Sequence, residues 1–151
     1  MKTVLAIAGT DPTGGAGIQT DLKTIEAYGL YGMAVITVVI AQNTTGVFDM
    51  QPVSAALVAK QIDCVFEDIR PDSVKLGMLY DTNIIRTVAE RLRAYHAENI
   101  VLDPVMLSSS GSALLRPDAA KTLLDELFPL CALVTPNLQE AAAICGHTIR
   151  S

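Results

Sequence analysis

The sequence predicts an α/β protein with a mostly parallel, doubly wound sheet. Two observations lead to this prediction: short apolar runs alternate with amphipathic helical patterns along the whole chain, and 50% of the residues are hydrophobic. Strands that are covered on both faces read as continuous apolar runs, and regular alternation of strands and helices favours a parallel order. With 151 residues and no visible linker or repeat, a single domain is expected.

The first predicted strand covers residues 4–8 and leads into a glycine-rich segment, residues 9–17. A helix is predicted to follow over about residues 15–28. Its inner face is marked by Ile18, Leu22 and Ile25. A strand, a glycine-rich turn and a helix together form a pocket at the carboxyl edge of a sheet, where backbone N–H groups approach a ligand.

The glycine-rich segment matches neither of the two common phosphate loops. Gly9 and Gly14 have the spacing of a Walker loop, but Gly15 and Ala16 stand where lysine and serine or threonine are required. The Gly-x-Gly-x-x-Gly pattern of dinucleotide-binding proteins is also absent from this segment. A plain turn without a ligand is the alternative interpretation.

The remaining strands are predicted at residues 33–41, 47–53, 73–78, 99–105 and 131–135. Residues 33–41 are expected to form one strand, buried on both faces, because the run is continuously apolar and β-branched. The later helices are predicted to start at Ser54, at Asp81 or Thr82, at Pro117, and at Pro136 or Asn137. Residues 108–112, between the second and third of these helix starts, are predicted to be a flexible loop.

Composition excludes several classes of protein. The net charge is −5 and no basic cluster is present, so no nucleic-acid partner is expected. The longest apolar run, residues 33–41, is far shorter than the ~20 residues that a membrane span needs, so no membrane partner is expected either. The cysteines, Cys64, Cys131 and Cys145, are odd in number and scattered, which indicates a reducing, cytoplasmic location.

Polar residues and glycines gather where the predicted strands end. They are Asp11, Gln42 and Asn43, Gly77 and Met78, Asp103 and Pro104, and the group Thr135, Pro136 and Asn137. In a parallel sheet the carboxyl ends of all strands lie at one edge, and ligand sites are found there. The sequence therefore predicts a binding site at this edge.

The same segments resemble hydroxymethylpyrimidine/phosphomethylpyrimidine kinases. Residues 8–24 (AGTDPTGGAGIQTDLKT) are similar to the opening of that family. Later blocks follow in order over nearly the whole chain, at residues 32–37, 41–44, 75–79, 101–106 and 135–141. The resemblance implies a ribokinase-like three-layer α/β/α sandwich. It also implies a magnesium- and ATP-dependent kinase of thiamine biosynthesis, which phosphorylates 4-amino-5-hydroxymethyl-2-methylpyrimidine and then its monophosphate.

The chain departs from the family at its end. The family carries a later Gly-Thr-Gly-Cys (or Asp) turn with the anion hole and the catalytic base. Here Gly-Thr occurs only at residues 9–10, before Asp11. The resemblance therefore implies that residues 1–151 are one incomplete domain, the pyrimidine-binding half, and that no catalytic residue lies within it. Such a half domain, with an exposed sheet edge, is expected to form a homodimer and to have little activity alone.

Five residues are predicted to bind the pyrimidine: Gly9, Asp21, Gln42, Met78 and Val105. The resemblance implies that Asp21 faces the ring, although a favourable interaction with the helix dipole also explains an acid at this position. An amide such as Gln42 can both donate to a ring nitrogen and accept from an amino group, although it can also cap its own turn. Met78 and Val105 would flank the ring or simply belong to the core.

Three residues are predicted to face the nucleotide: Asp103, Asn137 and Glu140. Asn137 and Glu140 share a helical face and resemble the Asn-x-x-Glu motif with which ribokinase-like enzymes organise magnesium and phosphates. The same spacing is typical of a capping box, in which the two residues only close the start of a helix.

Two other functions are compatible with the sequence. A pyridoxal kinase of the same superfamily is one, although residues 14–19 together with Gln42 and Asn43 favour a pyrimidine. The other is a pyrimidine-binding protein without turnover, which the absence of a second Gly-Thr-Gly turn favours.

Overall fold

The computed structural model describes residues 1–106, 115, 116 and 118–149. The predicted loop at residues 108–112 and the predicted helix start at Pro117 lie outside these residues. Within them, the elements are β1 (Thr3–Ala8), α1 (Gly17–Ala27), β2 (Tyr31–Ile36), β3 (Val38–Asn43), β4 (Gly46–Pro52), α2 (Ala55–Asp68), β5 (Ser73–Leu76), α3 (Thr82–Ala94), β6 (Ile100–Leu102), α4 (Ala119–Glu126), a 3₁₀ turn (Phe128–Leu130), β7 (Leu133–Val134) and α5 (Leu138–Cys145).

Five strands form a parallel sheet in the order β2-β1-β5-β6-β7. The central strand β5 pairs with β1 through Ala6 opposite Lys75, and with β6 through Lys75 opposite Val101. Because every strand runs the same way, all carboxyl ends meet at one edge, as predicted.

The main core lies between one face of the sheet and helices α2, α3 and α4. Leu5 and Ile7 of β1 and Leu76 of β5 are fully buried there. Burial of each such side chain away from water contributes about 1.5–3 kcal/mol to the free energy of unfolding. The helices contribute the matching apolar stripes, and these include the predicted inner residues Val58, Ile62, Ile85, Val88, Ala89, Leu92, Leu123 and Leu127.

Helix α1 covers the opposite face, over β1 and β2. The residues beneath it are small: Ala6, Ala8 and Ala34 pack against Ile18 of the helix. At Gly32 even a methyl group would lie only 2.9 Å from the Leu22 side chain, so α1 approaches the sheet closely. With helices on both faces, the predicted three-layer α/β/α sandwich is confirmed.

The prediction of one continuous strand over residues 33–41 is wrong. The run breaks at Thr37 into β2 of the parallel sheet and β3, which pairs antiparallel with β4 in a separate hairpin. Thr37 bonds in three directions: its N–H donates to the Ala8 carbonyl, its carbonyl accepts from Val53, and its hydroxyl donates to the Met78 carbonyl at 2.6 Å. These bonds turn the chain out of the sheet although the apolar pattern continues.

The predicted helix caps are confirmed at Ser54 and Asp81, whose side chains accept the N–H groups of Leu57 and Ile84. The later strands are shorter than predicted, because the chain leaves the sheet soon after Leu76, Leu102 and Val134. The residues that follow these three points turn towards the edge where ligands are expected.

The described helices are short, and the longest, α2, has 14 residues. None of the helices within the described residues combines the length and the apolar character that a membrane span requires.

A candidate active site at the carboxyl edge of the sheet

A cavity of about 410 Å³ opens at the carboxyl edge of the parallel sheet, and we call it the edge cavity. Five parts of the chain line it: the end of β1 with its loop, α1, β3, the end of β5, and the segment after β6. Its lining residues are Ala8, Gly9, Thr10, Ala16, Gly17, Thr20, Asp21, Ile40, Gln42, Lys75, Gly77, Met78, Asp103 and Val105.

Asp11 organises the glycine-rich loop below this cavity. Its carboxylate, buried with 3% exposure, accepts the N–H groups of Thr13, Gly15 and Ala16 at 2.8–3.1 Å. Burial by itself would raise the pKa of Asp11, but the Gln42 side chain, Thr13 and Ala16 hydrogen-bond to the carboxylate and lower the pKa to about 2. The loop donors expected to approach a ligand are therefore occupied by Asp11.

Helix α1 presents Thr20 and Asp21 to the edge cavity. It starts at Gly17, whose φ of +56° lies in the left-handed region that favours glycine. A Cβ at Gly17 would also lie 2.5 Å from the Gly9 carbonyl, which accepts the N–H of Ile18. The glycine thus lets the helix start directly against the end of β1.

Asp21 is paired with Lys75, which comes from the middle of β5. The Lys75 Nζ lies 2.9 Å from Asp21 Oδ2, and the side chains are 28% and 16% exposed respectively. This ion pair forms part of the wall of the edge cavity. Sequence analysis missed Lys75 as a site residue; the available signal was a lysine in an apolar strand, two residues before Gly77.

The hairpin of β3 and β4 supplies Ile40 and Gln42. It is fixed to the first loop by two bonds of Thr10, whose N–H donates to the Val38 carbonyl and whose hydroxyl oxygen accepts the N–H of Ile40. Gln42 was predicted at the end of a parallel strand; it instead lies within β3, at a register shift of the antiparallel pair.

Gly9 and Met78 meet at the floor of the edge cavity. A Cβ at Gly9 would lie 3.2 Å from the Ile40 side chain and 3.3 Å from the Met78 sulfur. Close packing therefore explains why a glycine occupies position 9, in addition to the predicted close approach to a ligand. The Thr37 hydroxyl holds the Met78 carbonyl and so fixes this part of the floor.

Asp103 and Val105 follow β6 and complete the wall. Burial raises the pKa of the Asp103 carboxyl; the Lys75 ammonium opposes this rise, and the Glu140 and Asp21 carboxylates add to it. The Lys75 ammonium and the carboxylates of Asp21 and Glu140 thus all lie close enough to act on Asp103.

Asn137 and Glu140 form a capping box, which is the alternative to a magnesium-organising motif that their spacing in the sequence allows. The Asn137 Oδ1 accepts the Glu140 N–H at 2.9 Å, and the Glu140 Oε2 accepts the Asn137 N–H at 3.0 Å. The Glu140 Oε1 also accepts the N–H of Met106 at 3.3 Å. These two residues line a separate cavity of about 50 Å³, next to the segment after β6.

The structure therefore brings together six of the eight predicted site residues, Gly9, Asp21, Gln42, Met78, Asp103 and Val105. Asn137 and Glu140 lie beside this group. Among the described residues, no group of three or more His, Cys, Asp and Glu side chains is arranged to hold a metal ion by itself.

Comparison with known proteins agrees with this fold. The phosphomethylpyrimidine kinase family matches residues 11–151. The hydroxymethylpyrimidine/phosphomethylpyrimidine kinase of Escherichia coli (strain K12) is 55% identical over 146 residues, which are 95% of this chain and 55% of that protein. The crystal structure of phosphomethylpyrimidine kinase from Clostridium difficile 630 superposes with a TM-score of 0.93 at 48% identity, and the match covers 100% of this chain and 65% of that one.

A more distant similarity is found to the pyridoxal kinase of Staphylococcus aureus in complex with AMP-PCP. Its TM-score is 0.87 and its identity 35%, with 100% of this chain and 55% of that chain covered. The fold is thus that of the ribokinase-like vitamin kinases. Within this class, the chain belongs to the phosphomethylpyrimidine kinase family. It spans about half the length of the curated relatives that it matches.

Proposed function

We propose that the protein takes part in the transfer of the ATP γ-phosphate to 4-amino-5-hydroxymethyl-2-methylpyrimidine and then to its monophosphate. The observation that carries this proposal is the edge cavity, where Asp21, Gln42 and Met78 converge in a chain that belongs to this family. Its volume of about 410 Å³ is within the range of small-molecule sites.

Recognition of the pyrimidine follows from the chemistry of these side chains. The Gln42 amide can donate to a ring nitrogen and accept from the exocyclic amino group. The Asp21 carboxylate accepts from an N–H or O–H donor of the substrate. Met78 and Val105 provide apolar surface for the ring faces, and the absence of a side chain at Gly9 keeps the floor low.

We further propose that Asp103, Asn137 and Glu140 serve the nucleotide side, with ATP and Mg²⁺ as cofactors. A magnesium ion held mainly by phosphates and water needs only one or two protein carboxylates. Glu140 fits that role because its carboxylate is held in place by two backbone N–H groups, and its charge acts on Asp103. When bound, the ion would neutralise phosphate charge, while these side chains orient it.

We also propose that residues 1–151 act as the acceptor-binding half of a ribokinase-like domain. The chain spans about half the length of its curated relatives, and this supports its assignment as one half of the domain. Strand β7 is at one end of the described sheet, with Leu133 at 55% exposure, and such an edge favours pairing of two copies. Sedimentation of the purified chain tests this association, and a strict monomer at high concentration would contradict it.

Calorimetric titration of the purified protein tests the proposed substrate. We expect hydroxymethylpyrimidine to bind more tightly than pyridoxal, since a 55% identical relative is named as a hydroxymethylpyrimidine kinase, whereas the pyridoxal kinase of Staphylococcus aureus is only 35% identical. Tighter binding of pyridoxal would favour the pyridoxal kinase interpretation. If neither compound binds, the proposal is contradicted.

A further inference from the structure

We propose that Lys75 is a positioning residue of the edge cavity, whose ammonium group holds the Asp21 carboxylate in place to receive the acceptor. The inference rests on the proposed function for the identity of that acceptor. It is carried by the ion pair between Lys75 Nζ and Asp21 Oδ2, at 2.9 Å, in the wall of the cavity.

The sheet leaves a path for this side chain. Lys75 lies in β5 between Ala6 of β1 and Val101 of β6, on the face opposite the main core. Its stem extends towards the carboxyl edge, since a Cβ at Gly77 would lie 3.0 Å from the Lys75 Nζ and 2.9 Å from the Ala8 Cβ. The glycine two residues ahead therefore makes room for the ammonium group at the edge cavity.

The carboxylates that line the edge cavity require a basic side chain nearby. Asp21 and Asp103 both line it, and a carboxylate as little exposed as Asp21 needs a partner to remain charged at low cost. Among the described lining residues, Lys75 is the only basic side chain. Because the ammonium pairs with Oδ2, the proposal assigns the other oxygen of the carboxylate, Oδ1, to the acceptor.

A double-mutant cycle on hydroxymethylpyrimidine binding tests the inference, with Lys75→Met and Asp21→Asn made separately and together in the purified protein. Lys75→Met keeps the apolar stem and removes the charge. We expect each single variant to bind roughly 10-fold more weakly, and the double variant to bind within about twofold of Asp21→Asn, because Lys75 acts through Asp21. Lys60→Met, an exposed lysine on α2, is the matched control and should bind as the wild type does.

Unchanged affinity of Lys75→Met, or losses that multiply in the double variant, would overturn the inference. If Lys75→Met does not fold, as judged by its thermal melt, Lys75→Gln replaces it in the cycle. A crystal structure of the ligand-free variant gives a second readout that does not depend on the substrate: Asp21 should leave its present position, and an unmoved carboxylate would overturn the inference. Absence of binding by the wild type would count against the proposed function instead.

Discussion

Asp11 shows how a single carboxylate can organise a loop of glycines. Three backbone N–H groups and one hydroxyl group point at it, so the loop is closed by its own acid rather than by an anion from solution. The loop therefore serves to place α1, and with it Asp21, at the edge cavity.

We expect Asp11→Asn to lower the thermal stability of the protein at neutral pH. The folded-state pKa of Asp11 is about 2, below the ordinary 3.8, so its stabilising contribution is complete above about pH 4 and is lost as the pH falls through about 2. The difference in Tm between wild type and variant should therefore shrink between pH 4 and pH 2. Asp68→Asn, at an exposed position at the end of α2, is the control, and a constant difference at all pH values would contradict the assignment.

Gln42 offers the most direct test of pyrimidine recognition. Truncation to alanine leaves polar groups of a bound pyrimidine without partners, and such losses cost about 1–3 kcal/mol. We expect Gln42→Ala to weaken hydroxymethylpyrimidine binding by that amount in calorimetry. Gln51→Ala, on the exposed side of the same hairpin, should bind normally. Equal affinities of the two variants would remove Gln42 from the site.

At the scale of elements, the start of α1 depends on a left-handed residue in close contact with β1. Gly17→Ala would incur the strain of a positive φ, about 1–2 kcal/mol, and would also place a Cβ 2.5 Å from the Gly9 carbonyl. Gly29→Ala shares the positive φ but has nothing within 4 Å of its Cβ. In urea unfolding we expect Gly17→Ala to lose clearly more stability than Gly29→Ala, and Gly46→Ala to lose least. Equal losses at Gly17 and Gly29 would show that the contact does not matter.

The junction of β2 and β3 depends on the hydroxyl of Thr37. Thr37→Val keeps the shape and leaves the Met78 carbonyl without its 2.6 Å donor in a fully buried position, so we expect a loss of about 1–3 kcal/mol. Thr24→Val, on the exposed face of α1, is the matched control. Urea unfolding measures both, and an equal effect of the two changes would contradict a special role for Thr37.

The sequence predicts most elements because the local and tertiary signals agree. Runs such as β1 and β5 are apolar strands between clear breakers, and Ser54 and Asp81 are caps that need no distant partner. The break at Thr37 could not be predicted, because a threonine suits a strand by its own propensity and only its bonds to Ala8, Val53 and Met78 end the strand.

The site was predicted to a similar extent. Polar residues at strand ends pointed to Gln42 and Asp103, and the family resemblance pointed to Asp21; the fold does bring all three to one cavity. Lys75 was missed because it alternates with the apolar residues Val74 and Leu76. Such alternation is typical of a strand in which the lysine faces solvent. The path over Gly77 that leads its ammonium into the cavity exists only in three dimensions.

At the scale of the whole molecule, the 151 residues supply the proposed acceptor pocket but no residue that matches the family's base and no second Gly-Thr-Gly turn. Loss of the anion-stabilising donors costs on the order of 10²–10³ in rate, and loss of the base a further ~10²–10⁴. We therefore expect the purified 151-residue chain to release no ADP at an enzymatic rate in a coupled assay with hydroxymethylpyrimidine. Turnover of about one per second or faster would reveal a base that lies within these residues.

The hairpin that leaves the sheet at Thr37 has a consequence for how such a protein can evolve. Ile40 and Gln42 lie in β3, which within the described residues pairs with β4 alone, whereas Asp21, Lys75 and Asp103 are anchored to the central sheet and α1. Mutations in the hairpin can therefore alter the shape and the hydrogen-bonding pattern offered to a substrate without disturbing the main core. The architecture separates the hairpin side of the edge cavity from the part that keeps the protein folded, so the shape offered to a ligand can diverge while the scaffold stays the same.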